Sequence, residues 1–267
     1  MKKYYQADLV KNEVPFEAIP QEVRAQYLRP GELLAIQERF PVAFLPIGTL
    51  EWHGRHNPIG CDAIKAERLC IETAKLIGGV VMPSIYFSAD AYINADDNGY
   101  GLGMDAFAGF QLPGSLYEID SKLLKKFMVN ACKNCLSRGF KLVIIVSGHN
   151  PGIQENLLSE VCYMMKTFEG EEPVQFTMEY TVIEAGNPRR ASDHGSGYET
   201  SMMLFLTGDR VNLKANDGQK RPELAISGNT SYITATSEEG ENCFNLQVEG
   251  LTRFTRNKLE KLANCGI

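Results

Sequence analysis

Lys141-Leu142-Val143-Ile144-Ile145-Val146-Ser147-Gly148-His149-Asn150 holds the strongest strand signal in the chain, at residues 142–146. A continuous β-branched run of this kind suits a strand buried on both faces, as in a parallel sheet covered by helices. The run ends at a Ser147-Gly148 turn, which leaves His149 at the strand's carboxyl edge. Sites in open α/β sheets form along that edge. A satisfied core histidine is the competing reading of His149.

Strand and helix signals alternate on both sides of this segment. Residues 40–47 (FPVAFLPI) read as a buried strand running into a turn at Gly48. Residues 62–77 read as a helix with Ala63, Ala66, Cys70, Ala74 and Ile77 on one face, stopped by Gly78-Gly79. Residues 80–85 (VVMPSI) read as a second strand. Residues 86–114 are rich in Gly, Asp and aromatics without a clear period, and so long an irregular stretch is often functional. Leu124, Phe127, Met128, Ala131 and Cys135 mark an amphipathic helix over 120–138, with Gly139 as its stop. A helix over 152–168, a strand over 174–182 and a helix over 198–206 follow. Residues 207–267 offer no motif. Repeated alternation implies an α/β fold with a mostly parallel sheet. Without a linker, repeat or low-complexity stretch, one domain over residues 1–267 is expected.

Composition narrows the function classes. The 267 residues are 44% hydrophobic and 22% charged, ordinary values for a globular protein. A net charge of −6, with Lys and Arg scattered, argues against a nucleic-acid partner. Seven cysteines, an odd count in a chain of this size, do not suggest a disulfide framework. Cys132 and Cys135 form a lone C-x-x-C inside a helical pattern and read as helix cysteines. The first residues contain no apolar signal-peptide core, and no apolar run reaches membrane-span length. A cytoplasmic protein with no membrane partner is expected.

All four histidines sit in Gly-rich or polar segments beside strand ends or helix starts, where sites are commonly built. In Glu51-Trp52-His53 an extended chain projects Glu51 and His53 to the same side. A carboxylate and an imidazole there make two ligands for a divalent cation, and Asp62 can swing back from the start of the next helix. Oxygen with imidazole nitrogen suits Zn, Mn or Fe. A surface ion pair for Glu51 and His53, and a helix N-cap for Asp62, are the plainer readings. Further along, Asp193-His194-Gly195-Ser196-Gly197-Tyr198-Glu199-Thr200-Ser201 feeds a helix from a polar turn. His194 and Glu199 can approach one centre from the turn and the first helical turn. A loop histidine, a dipole-favoured Glu and caps at Ser192, Asp193 and Ser196 are the alternatives.

These segments resemble the creatininase (creatinine amidohydrolase) family. Its E-x-H-G-x-H-x-P-x-x-x-D segment reads here from Glu51 to Asp62, its strand-end G-H reads Gly148-His149, and its H-A-G-x-x-E-T-S reads from His194 to Ser201. A stretch similar to the family's F-P-G-T/S runs from Phe110 to Ser115. The resemblance implies a three-layer α/β/α sandwich and hydrolysis of a C–N bond, often in a cyclic amide, in a small polar substrate. It also implies a homohexamer and two divalent ions, usually Zn or Mn and sometimes Fe. Residue by residue, it makes Glu51, His53, Asp62 and His149 metal ligands, with Asp62 bridging. Glu199 supplies a further carboxylate and His194 transfers protons. Trp52, His56, Tyr92 and Asn150 are the expected substrate contacts. The pattern departs at Pro151, where creatinine-hydrolysing members place a ligating Glu, so the second metal would depend on Glu199. The same metal chemistry could instead open a cyclic polyol-ketone or 1,3-dicarbonyl by C–C cleavage. The polar residues Asp90, Tyr92, Asn94, Asp96, Asp97, Asn98 and Asp105 would serve such hydroxyls.

Overall fold

The computed structural model describes residues 6–264, apart from 12, 15–20, 90–91, 94–100, 118 and 168–169. Helix α1 (Pro30–Arg39) leads into strand β1 (Val42–Ile47), followed by α2 (Cys61–Ile77) and the short β2 (Val80–Val81). A two-strand ladder of β3 (Tyr92–Ile93) and β4 (Gly101–Leu102) and the short helix α3 (Asp105–Ala108) occupy the irregular stretch. Then come α4 (Ser121–Ser137), β5 (Leu142–Ser147), α5 (Gly152–Met164), β6 (Val174–Met178), α6 (Gly197–Thr207) and α7 (Ser237–Asn264).

The main sheet has the order β2-β1-β5-β6, and every pair is parallel. β1 and β5 pair along their whole length, from Val42 opposite Leu142 to Ile47 opposite Ser147. All residues of both strands are buried. Their alternating side chains feed two cores, as strand geometry requires. Val42, Phe44, Leu142, Ile144 and Val146 pack with Leu69 of α2, Met202 of α6 and Phe244 of α7. Ala43, Leu45, Ile47, Val143 and Ile145 pack with Leu124 and Met128 of α4 and Leu158 of α5. The expected three-layer α/β/α sandwich is the observed architecture.

The structure differs from the sequence reading at several places, and the helix expected over 152–168 ends at Met164. The strand over 80–85 contributes only Val80 and Val81 to a ladder, and Ile85 adds a single bridge to Ile47. The strand over 174–182 stops at Met178 and becomes a 3-10 turn, Glu179–Val182. The chain beyond 207, which offers no motif, supplies the 28-residue α7, packed against α6 and α2. No described helix is long and apolar enough to cross a membrane.

Close approach at the carboxyl edge of the sheet places the site. A Cβ on Gly48, just after β1, would lie 2.3 Å from the Ala63 nitrogen. One on Gly148, just after β5, would lie 2.0 Å from the Asp62 carbonyl oxygen. Any larger residue would push the start of α2 away. The two glycines thus let Asp62 enter between the ends of the two central strands.

Candidate metal centre

Three loops converge there. Glu51 and His53 follow β1, Asp62 opens α2, and His149 follows β5. Glu199 arrives from the first turn of α6. All five side chains are buried. His53 Nε2 lies 3.2 Å from Asp62 Oδ1 and 3.4 Å from Glu199 Oε2. His149 Nδ1 lies 3.0 Å from Asp62 Oδ2 and 3.3 Å from Glu51 Oε2. Asp62 therefore turns one oxygen toward each histidine.

The donor atoms fall into three groups, each with its members within 4.8 Å of one another: His53, Cys61, Asp62 and Glu199; Glu51, Asp62 and His149; Glu51, His53 and His194. The first two groups share Asp62. Buried polar atoms are normally hydrogen-bonded, and exceptions require an explanation. Glu51 Oε2 and His53 Nε2 are buried without a hydrogen-bond partner. His53 Nδ1 lies 3.1 Å from the Glu51 carbonyl oxygen and donates to it, which directs Nε2 into the cluster. A ligating histidine is held by its other nitrogen in this way. The donor set fits hard or borderline divalent cations.

The electrostatics are those of a carboxylate cage. Burial pulls the His53 imidazole down, but Asp62, Glu199 and Glu51 outweigh it and raise its pKa to about 9. Burial pushes Asp62 up, yet His53, Lys65 and the His149 hydrogen bond hold it well below the ordinary carboxylate range. Glu199 behaves likewise, with burial opposed by Lys65 and His53 and the net direction downward. Burial and then the neighbouring His53 lower the pKa of His194, which favours its neutral imidazole. Its Nε2–H donates to the Trp52 carbonyl oxygen, which leaves Nδ1 as the acceptor, and the ring stacks on His53 at 4.2 Å.

Sequence reasoning missed two members of the cluster. Lys65 is buried and contacts Glu199 Oε1, Glu179 Oε1 at 3.3 Å and Asp62 Oδ1 at 3.5 Å. Glu179 also accepts a 2.9 Å hydrogen bond from Asn150 Nδ2. It belongs to none of the three donor groups and serves as counter-charge to Lys65. The one available signal was Lys65 at i+3 from Asp62, which on a helix usually denotes a solvated pair.

The expected substrate contacts fare unevenly. Trp52 is half-buried, and its indole N–H donates to the Leu224 carbonyl oxygen at 3.0 Å. Asn150 is half-buried at the edge of the cluster and orients Glu179. His56, expected to contact substrate, is buried. Its Nε2–H donates to the Gly195 carbonyl oxygen at 2.9 Å, its Nδ1 accepts from Asn216 at 3.1 Å, and its ring stacks on Tyr232. Both nitrogens are committed to the scaffold. Tyr92 lies on β3, but its side chain falls outside the described residues, as do Asp90, Asn94, Asp96, Asp97 and Asn98. Asp105 is buried and accepts from the Leu112 backbone at 2.8 Å. Asp193 is a cap, accepting from the backbone nitrogens of Tyr198 and Glu199 at 2.8 and 3.0 Å. Pro151 precedes the first turn of α5 and offers no ligand.

The curated creatinine amidohydrolase of Pseudomonas putida is 24% identical over 187 residues, covering 64% of this chain and 66% of that enzyme's length. A crystal structure of creatinine amidohydrolase (creatininase) superposes with a TM-score of 0.68 at 19% identity, covering 88% of this chain and 96% of the other. A manganese creatininase gives 0.68 at 20% identity, covering 88% and 98%. At such identities the structural likeness speaks for the fold. The family described as "Creatininase: Creatinine amidohydrolase" matches residues 26–255, and the chain belongs to this creatininase family of hydrolases.

Proposed function

We propose that the chain, as one domain over residues 1–267, is a metal-dependent amidohydrolase that opens a C–N bond in a small, polar, cyclic amide. The observation that carries the proposal is the pair of donor groups sharing Asp62, with Glu51 Oε2 and His53 Nε2 buried and lacking hydrogen-bond partners. Glu51, Asp62 and His149 would hold one divalent ion, and His53, Asp62 and Glu199 a second. Zn, Mn and Fe all suit these donors. Solved relatives include a Zn–Zn creatininase variant and a manganese creatininase, and another variant is complexed with creatine. When bound, such ions supply Lewis acidity toward the scissile carbonyl and a water of lowered pKa.

The chain's own residues do the remainder. Lys65 and the Gly195 backbone N–H, at 2.8 Å from Oε2, hold the Glu199 carboxylate in place. Neutral His194, fixed through Nε2 to the Trp52 carbonyl, has Nδ1 available to take a proton from water and pass it to the leaving nitrogen. A homohexamer belongs to the same reading and is checked by analytical ultracentrifugation.

The test is a panel of cyclic amides, creatinine included, given to enzyme loaded with Zn or Mn. Ring opening should yield a carboxylate and a new amine, be abolished by chelation and return with added metal. Turnover that persists in chelated, metal-free protein would refute the proposal. Ring opening without a new amine would refute the C–N assignment. The comparisons lend the C–C alternative no support.

A further inference from the structure

Cys61 immediately precedes Asp62 and is completely buried. The family pattern leaves this position open, so nothing in the motif requires a cysteine there. Its Sγ nevertheless lies within 4.8 Å of donor atoms from His53, Asp62 and Glu199. A buried cysteine is by default a small apolar residue, and one edge of Cys61 does meet the core beneath α2. The difference here is its company. His53 Nε2 points into the same group, fully buried and without a hydrogen-bond partner, and two carboxylates complete the surround. One imidazole, two carboxylates and one thiol number four donors, the usual count for tetrahedral zinc.

We infer that Cys61 is the fourth ligand of the His53/Asp62/Glu199 half of the centre and makes that half select Zn(II) over Mn(II). The inference rests on the proposed metal centre. Thiolate is a soft donor that favours Zn and Co over Mn, whereas Glu51, Asp62 and His149 offer only oxygen and nitrogen and discriminate less. Ligation breaks the S–H bond and forms a sulfur–metal bond, and the proton leaves to buffer with no change of oxidation state. The two halves of the centre are therefore chemically unequal.

Cobalt(II) titration of the metal-free full chain tests this without any substrate. Visible d–d bands report cobalt binding, and a thiolate-to-cobalt charge-transfer band in the near ultraviolet reports sulfur ligation. Both are expected in the wild-type protein. Cys61→Ser should lose the charge-transfer band, keep the d–d bands and lower the Zn-over-Mn preference by about ten- to a hundredfold. Cys132→Ser should keep the band, because none of the other described cysteines joins a donor group. If Cys61→Ser does not fold, the wild-type spectrum still decides. Visible d–d bands without charge transfer would overturn the cysteine assignment and leave the metal centre standing. Absence of any cobalt binding would overturn both.

Discussion

His53 and His56 stand three residues apart on one loop, and both are buried, yet their surroundings are opposite. His56 has a partner for each nitrogen and a tyrosine against its face. His53 has one nitrogen anchored to a carbonyl and the other directed at carboxylates without a hydrogen bond. Burial pushes His56 below its ordinary pKa, while Asp62, Glu199 and Glu51 outweigh burial at His53 and lift it to about 9. The lesson concerns what marks a site. A buried polar atom that the scaffold satisfies is architecture, and one that it leaves unsatisfied among opposite charges is a place for a ligand.

The cage around His53 should be the more fragile region when a charge is removed. Lys65→Met leaves Glu179 and Glu199 buried without their cation, and stability should fall by about 3–5 kcal/mol in urea denaturation. Adding Glu179→Gln should recover part of that loss. A change below about 1 kcal/mol would show that Lys65 is not the charge that balances the cage.

On the scaffold side, His56→Ala strands the Gly195 carbonyl and the Asn216 amide. Stability should drop by about 1–3 kcal/mol, the cost of unsatisfied buried groups, while metal content stays constant. Loss of metal in that variant would erase the distinction between the two histidines.

The same contrast gives opposite pH signs. In metal-free protein the raised His53 pKa contributes stability that is fully present below about 6.5 and is lost as pH rises through about 9. The lowered His56 pKa contributes stability that is present above about 6.5 and is lost as pH falls. Each slope is at most about 1.4 kcal/mol per pH unit. Metal must displace the His53 proton, so apparent affinity should strengthen as pH climbs toward 9. Calorimetric titration between pH 6 and 9 at a fixed metal level would expose a flat response, which would contradict the assignment.

Much of this was legible before any coordinates. The LVIIV run at 142–146 became β5 and the FPVAFLPI run at 40–47 became β1, because a doubly covered parallel strand has no polar face to blur it. Helix α2 showed its apolar face, and Glu51, His53, Asp62, His149, His194 and Glu199 stood in segments that meet at the sheet edge. Lys65 and Glu179 were not legible, because only contact between α2, α6 and the turn after β6 turns an ordinary helical lysine into a buried cation. His56 looked equivalent to His53 because its partners Gly195, Thr200 and Asn216 lie more than a hundred residues away. Helix α7 was missed although its apolar face is as pronounced as those of α2 and α4, because that stretch carries no motif to draw the reading there.

The sharing of Asp62 between the two donor groups is the centre of this account, and elemental analysis of metal bound to the purified chain tests it most directly. Wild-type protein grown with zinc should carry about two ions per chain, as two-metal sites do. Asp62→Ala, with a circular dichroism spectrum matching wild type, should carry none. Unchanged metal content in that variant would contradict the account.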